Sequence, residues 1–460
     1  MNNLTLDYIV QNINGKLLCG DKETLINDVS TDSRTITPGT LFFALKGDNF
    51  DGHDFVVAAL NQGAYGAVVE KTTGIADYPQ NRAIIKVDNT LQALQQLARS
   101  YRLQFDIPVV GITGSVGKTT TKDLLAACLM SRCNTLKTPG NYNNDIGLPL
   151  TILKLNTEHQ VMVLEMAMRG SGEIQRLADI ARPNCAIITN VEPVHLETMG
   201  NINNICRAKC ELLASLGSDG FALINGDSKL LVNMAREFPC RQYTFGYSPG
   251  CDIQILQVNN ATGGINIELE AFASRHNLFL PLPAPKLATN VASAAGMAFL
   301  LGINWEDIKV SLAGYKTSSN RLNIIYLDEG GAVINDTYNA NPVSMIAALE
   351  VSATLAPEKR TVAVLGDMLE LGEYEISGHK QVGQRAADLG LGLLITIGNR
   401  SRYIMQGAID AGMNPNLVHH FASKQDGLDW IKKNVNKNDI VLFKASRGMQ
   451  LETLLEAWMA

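Results

Sequence analysis

Residues 109–122 read VVGITGSVGKTTTK and leave the backbone few choices. The apolar run IPVVGIT predicts a buried strand. The glycine-rich turn that follows must reverse the chain, and TTKDLLAACLMS has the composition of a helix starting at about Lys118. A strand that hands over to a helix through so short a turn is a building unit of α/β proteins. Amides in such a turn can point inward and wrap phosphate oxygens. Lys118 can neutralise β- and γ-phosphates, and the Thr119 hydroxyl is a ligand for Mg²⁺. The fit to G-x-x-x-x-G-K-[ST] is incomplete, because Ile112 stands at the first glycine position. A tight strand–helix turn with a surface lysine is the competing reading.

The same alternation continues. VMVLEMA, CAIITNV and GFALING predict further strands between helical stretches, hence a mainly parallel sheet with helices on both faces. TGGINIELEAFASRHNLFLPL breaks the pattern and predicts an antiparallel excursion. TVAVLGD, GLLITIGN and DIVLFKASRG resume it, each strand ending in a polar or glycine-containing turn. Ligands of open α/β sheets sit at such carboxyl ends, so these three turns are candidates for one shared site. Upstream, a helix over Leu6–Ile13 and strands near Leu41–Ala44 and Ala67–Val69 predict a smaller α/β domain. Its long polar segment DSRTITPGTLFFALKGDNFDGHDF carries Arg34 and His53 and is expected to bind a ligand. With 460 residues, about three domains are expected. The boundaries fall at 1–85, 86–314 and 315–460, all of α/β class, and no repeat of solenoid length is visible.

Composition excludes several classes. A net charge of −6 without basic runs argues against a nucleic-acid partner. The longest apolar stretch, Val291 to Ile303, is well short of the ~18 residues of a membrane span, so no membrane insertion is expected. MNNLTLDYIV lacks the basic start of a signal peptide, and a cytoplasmic location is expected. The eight cysteines contain no CxxC pair. Cys206 and Cys210 could share a helix face, but no zinc set surrounds them, and reduced thiols are expected.

Other residues carry chemistry in combination. Glu165 ends VMVLE; a carboxylate at the tip of a strand beside a phosphate loop suits magnesium, while an exposed strand-end acid is the plain alternative. His195 lies in ITNVEPVHLETMGN, and a lone histidine is more often structural than a ligand. Lys209 interrupts the apolar helical stretch ICRAKCELLASL, where a snorkelling lysine is the ordinary account.

Taken in order, TGSVGKTTTK, TPGNYNNDIGLPLTIL, LEMAMRGSGEI, TNVEPVHLETMGN and AKCEL resemble the Mur ligase superfamily, over nearly the whole chain. These are ATP-dependent, amide-forming enzymes that extend the peptide of cell-wall precursors. The family's phosphate loop is a shortened T-G-x-x-G-K-T, which accounts for Ile112. Its three domains (UDP-sugar binding, central ATPase, C-terminal Rossmann-like) match the three segments. INDTYNANPVSM, VLGDMLELGEYEISGH and LFKASRGMQLE resemble the branch that adds D-Ala-D-Ala to UDP-MurNAc-tripeptide. The sibling branch that adds the third residue carries D-Y-A-H-x-P at the first of these and a D-N-P-R-type stretch that is missing here.

The resemblance implies roles. Thr113, Gly114, Ser115, Val116, Gly117, Lys118 and Thr119 would hold the ATP phosphates, joined by Asn290, Arg321, Asp336 and Asn339. Two Mg²⁺ ions are implied: one at Thr119 and Glu165, the other at His195 and at Lys209 as a carbamate. Lys118, His195 and Lys209 would be the catalytic residues. Thr31, Ser33, Arg34, Asp48 and Phe50 match the uridine-side loops, Asn141 and Asn144 the loop facing sugar and peptide. Lys444, Ser446 and Arg447 match the motif that meets the incoming amino-acid substrate. Two departures stand out. The family's H-N-x-x-N is ATNVAS here, keeping Asn290 but with Thr289 and Ser293 as its flanks. K-G-S-R becomes K-A-S-R through Ala445, which an ordinary backbone angle tolerates.

The implied reaction passes the γ-phosphoryl of ATP to a carboxylate, after which an amine attacks the acyl phosphate. A monomer is expected. The alternatives are a sibling ligase for the third amino acid, a folylpolyglutamate synthase-like ligase, and a nucleotide-gated binding module without turnover, because a phosphate loop alone establishes only binding.

Overall fold

The computed structural model describes residues 1–47, 50–71, 81–194, 196–317 and 320–460. Asp48 and His195 therefore lie outside the described residues. The chain forms two compact units, the first made of Met1–Val191, Asn203–Phe245 and Ser293–Ile303, the second of Glu192–Ile202, Gly246–Ala292 and Asn304–Ala460.

In the first unit the strand Val109–Thr113 is buried along its whole length. That is why it is a near-continuous apolar run: a parallel strand covered on both faces has no polar side. Its neighbours are also parallel, in the order Arg241–Gly246, Phe221–Asn225, Cys185–Ile188, Val109–Thr113, Val161–Glu165, Thr135–Lys137. From Val109–Thr113 the chain runs to one edge of these strands, whereas from Cys185–Ile188 it runs the other way. Their adjacent carboxyl ends thus form a topological switch point, the usual place for a ligand crevice. The register sets Glu165 beside Ile112 and Ile188 beside Thr113. A separate five-stranded sheet in this unit has the order Lys16–Cys19, Ala83–Lys86, Gly66–Val69, Thr40–Phe43, Asp28–Ser30, and only its first pair is antiparallel. Its core is built on Phe42, Val56, Leu60 and Val69.

The second unit holds the antiparallel excursion as Ile253–Ala261, Gly264–Ala271 and Ser274–Leu280. It also holds a six-stranded sheet ordered Asn323–Tyr326, Ala332–Asn335, Ile440–Lys444, Thr361–Gly366, Leu393–Ile397, Val418–Phe421, parallel except for the first pair. Val364, Ile395, Phe443 and Trp458 belong to its core; each such side chain contributes roughly 1.5–3 kcal/mol on burial. The helix Pro342–Leu355 begins where the sequence reads N-P: Asn341 and Ser344 form a reciprocal capping box, and Pro342 supplies a first-turn residue that needs no hydrogen-bond acceptor. Among the described residues no helix is long and apolar enough to cross a membrane.

Candidate active site

The glycine-rich turn is shaped by residues far away in sequence. Gly114 has φ +151°, and a Cβ there would stand 1.9 Å from the Thr189 hydroxyl oxygen, so no larger residue fits. Gly117 adopts a left-handed conformation (φ +82°) and launches the helix Lys118–Leu129. The amides of Ser115 and Val116 donate to the backbone and side-chain oxygens of Asn190, at 3.2 and 2.9 Å. Thr189 Oγ1 donates to the Val116 carbonyl (2.7 Å), and Asn225 Nδ2 donates to the Thr189 carbonyl (2.9 Å). The next strand of the sheet therefore braces the turn from the side. Lys118 Nζ donates to the Gly114 and Ser115 carbonyls at 2.7 and 3.2 Å, which brings its charge over the turn. Thr113 Oγ1 is buried with no hydrogen-bond partner, a donor at the mouth of the same turn.

Glu165 is buried, unlike the exposed acid that a strand end suggests. Thr119 Oγ1 donates to its Oε2 at 2.7 Å and Asn143 Nδ2 to its Oε1 at 2.8 Å. A hydroxyl and a carboxylate that already share a hydrogen bond can turn their oxygens to a hard cation. Mg²⁺ takes one or two carboxylates plus phosphate and water oxygens, so this donor set fits it. Among the described residues no three His, Cys, Asp or Glu side chains converge, so nucleotide and water would have to complete the shell.

Lys209 sits on the helix Ile202–Ala214 and is 1% exposed. It is no snorkelling lysine: its amine stays inside. Burial pushes it well below the usual lysine range, and the charge of Lys118 pushes it in the same direction. Cys206 and Cys210 do share one face of this helix, four residues apart, and both are buried. All eight cysteines are free thiols.

In the second unit the turns after three parallel strands meet, as their sequences suggest. The Asp367 side chain accepts the amides of Arg400 and Ser401 at 3.0 and 2.7 Å, and its carbonyl accepts Ser446 N at 3.0 Å. Ser446 Oγ accepts Leu369 N at 2.9 Å and donates to the Ala340 carbonyl at 3.3 Å. Lys444 is also buried; its Nζ contacts Asp336 Oδ2 at 2.5 Å and donates to the Asn339 carbonyl at 2.9 Å. Burial lowers the Lys444 amine, while Asp336 acts in the opposite direction. Asp336 Oδ1 accepts Leu322 N (3.2 Å), and next to it the Arg321 guanidinium lies 3.8 Å from the Tyr338 ring centroid.

Three family models match in sequence order: Mur ligase family, catalytic domain, over residues 25–102; Mur ligase middle domain over 112–298; and Mur ligase, glutamate ligase domain, over 320–447. The UDP-N-acetylmuramoyl-tripeptide–D-alanyl-D-alanine ligase of Bacillus subtilis (strain 168) is 37% identical over 98% of this chain and 97% of its own length. The chain belongs to the Mur ligase family. The ligase of the same name from Escherichia coli (strain K12) is 34% identical, over 99% of this chain and 98% of the relative. Among solved structures, MurF from Acinetobacter baumannii superposes with a TM-score of 0.88 at 30% identity, covering 100% of this chain and 99% of the other. MurF ligase from Thermotoga maritima in complex with ADP gives 0.80 at 30% identity, covering 94% and 97%. Within the Mur ligases the chain stands with the MurF enzymes, as its D-x-Y-N-A-N-P run indicates.

Other residues singled out by the Mur ligase resemblance take varied positions. Ser33 and Arg34 lie in a short 3₁₀ turn capped by Asp32, and Thr31 is half-buried just before it. The Arg34 guanidinium grips Asp32 at 2.9 and 2.7 Å and holds that carboxyl down to about 2, while Arg34 itself stays exposed. Phe50 is exposed, as several other large apolar side chains of the chain are. Asn141 is exposed, and the Asn144 side chain accepts the amides of Ile146 and Gly147, starting the helix Gly147–Ile152. Asn290 is buried at the start of the helix Ala288–Leu300. Arg447 turns outward to Glu452. Sequence reasoning passed over Asn143, Lys122, Thr189, Asn190 and Asn225. The first four sit inside the family-like stretches TPGNYNNDIG, TGSVGKTTTK and TNVEPVH, and that is the one sequence signal that points to them.

Proposed function

We infer that this chain is an ATP-dependent ligase that joins D-Ala-D-Ala to UDP-MurNAc-tripeptide in peptidoglycan precursor synthesis, releasing ADP and phosphate. The observation that carries this reading is the near-full-length identity to ligases of that name in a chain whose phosphate loop is intact. The nucleotide is ATP. A carboxylate is a poor electrophile, and a site that cradles a triphosphate can remedy that. The carboxylate oxygen takes the γ-phosphoryl and ADP departs. The amine of D-Ala-D-Ala then attacks the acyl carbon, gives up its proton and expels phosphate. Lys118 offsets the charge that gathers as carboxylate and triphosphate approach, which is electrostatic positioning in a fixed frame.

Thr119 and Glu165 would hold one Mg²⁺, and His195 with Lys209 as a carbamate a second. Bound there, the ions would neutralise phosphate oxygens. Thr113 to Thr119, Asn290, Arg321, Asp336 and Asn339 serve ATP in this reading. Thr31, Ser33, Arg34, Asp48 and Phe50 serve the uridine end; Asn141 and Asn144 the sugar and peptide; Lys444, Ser446 and Arg447 the incoming dipeptide. The functional division is 1–85, 86–314 and 315–460, and the working form is a cytoplasmic monomer.

The direct test is phosphate release from ATP across combinations of acceptor and amine. UDP-MurNAc-tripeptide with D-Ala-D-Ala should give turnover, and D-Ala in place of the dipeptide little. Turnover with UDP-MurNAc-dipeptide and a single amino acid would assign the chain to the sibling specificity instead.

Arg321→Ala should weaken ATP binding while UDP-sugar binding persists. Asp336→Ala should do the same and also lower the melting temperature. It leaves the Lys444 ammonium buried without its carboxylate, and breaking a buried pair costs about 3–5 kcal/mol. Calorimetry with each ligand checks this; lost UDP-sugar binding with intact ATP binding would contradict it.

A further inference from the structure

The buried surroundings of Glu165 include a cation that the mechanism above does not use. Lys122 lies one helical turn beyond Lys118 and is 2% exposed. Its Nζ donates to the Thr138 carbonyl at 2.9 Å and stands 3.9 Å from Glu165 Oε2 and 3.6 Å from Asp123 Oδ1. Asp123 is itself paired with Lys137 at 2.7 Å. Buried Lys122, Glu165 and Asp123 thus form a charge cluster that the half-exposed Lys137 brings to neutrality from its edge, and pairing of this kind is the condition under which charges can be buried. Thr138 takes part twice: while its carbonyl accepts from Lys122, its hydroxyl accepts the Glu165 backbone amide at 2.9 Å. The segment that begins at Thr138 also carries Asn143, the donor to Glu165 Oε1.

Glu165 is therefore fixed from three directions. Thr119 and Lys122 approach Oε2 from the phosphate-loop helix, and Asn143 approaches Oε1. A carboxylate free to choose its rotamer would present its oxygens to a cation only part of the time. One held in this way is pre-aimed, and binding loses less freedom. The ammonium also attracts Glu165 without a direct hydrogen bond, leaving the lone pairs of the carboxylate for other partners.

We propose that Lys122 is a positioning residue that acts through Glu165: its buried charge keeps that carboxylate seated at the phosphate loop and couples the 138–143 segment to the nucleotide end of the site. This rests on the reading of Glu165 as a magnesium-side ligand, and the test separates the two.

The measurement is the gain in ADP affinity on adding Mg²⁺, obtained by calorimetry on the full-length protein with and without the ion. Lys122→Gln keeps a donor for the Thr138 carbonyl and removes the charge; Lys122→Met removes both. Both variants should reduce the Mg²⁺-dependent gain about tenfold, within the range of coupling between residues in contact. ADP affinity without Mg²⁺ should change much less. The double variant Lys122→Gln/Glu165→Gln should be no worse than Glu165→Gln alone, because Lys122 has nothing left to act through. A purely structural lysine would lower the melting temperature and leave the Mg²⁺ gain intact. A full gain in Lys122→Gln, or additive losses in the double variant, would overturn the proposal. If Glu165→Gln itself keeps the full gain, the reading of Glu165 fails, and the proposal falls with it.

Discussion

Lys118→Ala should yield a folded protein with almost no turnover. Removing one pre-aimed donor from a charge-crowded transition state is worth about 3 kcal/mol or more, roughly a hundredfold in rate. The fold should survive, because Lys118 is only half-buried and stands at the first position of its helix, where no core packing depends on it. The loop itself is held by Asn190 and Thr189, which the substitution does not touch. The check is phosphate release beside an unchanged melting curve. Near-normal release would remove the phosphate loop from the mechanism.

The second large effect is expected at Lys209. An ammonium there is penalised twice, by loss of water and by the Lys118 charge. A neutral amine is the form that reacts with carbon dioxide, and a carbamate formed there would turn the repulsion by Lys118 into attraction. It would also supply the oxygen ligands that Mg²⁺ prefers. Lys209→Ala should be nearly inactive, and acetate should restore part of the activity by filling the vacated space. Lys209→Arg should stay inactive, since a guanidinium keeps its charge and forms no carbamate. ADP binding and melting curves establish that both variants are folded. An arginine variant with wild-type turnover would show that a plain cation suffices and end the carbamate reading.

The helix pattern itself could have revealed how deeply Lys209 is buried. It lies four residues from both Ile205 and Leu213, which are buried, so the periodicity places it on the inner face. The composition of the stretch suggested a snorkelling lysine, but helical geometry decides the matter, because a side chain centred on the inner face cannot reach water. Glu165 is similar. The end of a strand looks exposed in the sequence, yet this strand ends beneath the phosphate-loop helix, where Thr119 takes one of its oxygens.

What the sequence determined by itself is local. Continuous apolar runs specify parallel strands buried on both faces, as at Val109–Thr113 and Val161–Glu165. Gly117 and Lys118 specify where a helix begins, and N-P at 341–342 starts another. Each of these needs only neighbours within a few residues. The tertiary structure alone decided which distant groups complete the site. Asn190 supports a turn about 75 residues away in the chain, and Lys444 meets Asp336 across 108 residues. Lys122, Thr138 and Asn143 converge on Glu165 from a helix, a strand end and a loop. A buried charge or amide must find a partner, but its type does not say which one. Sheet order and strand register choose among the possible donors, and they are set by the packing of the whole domain.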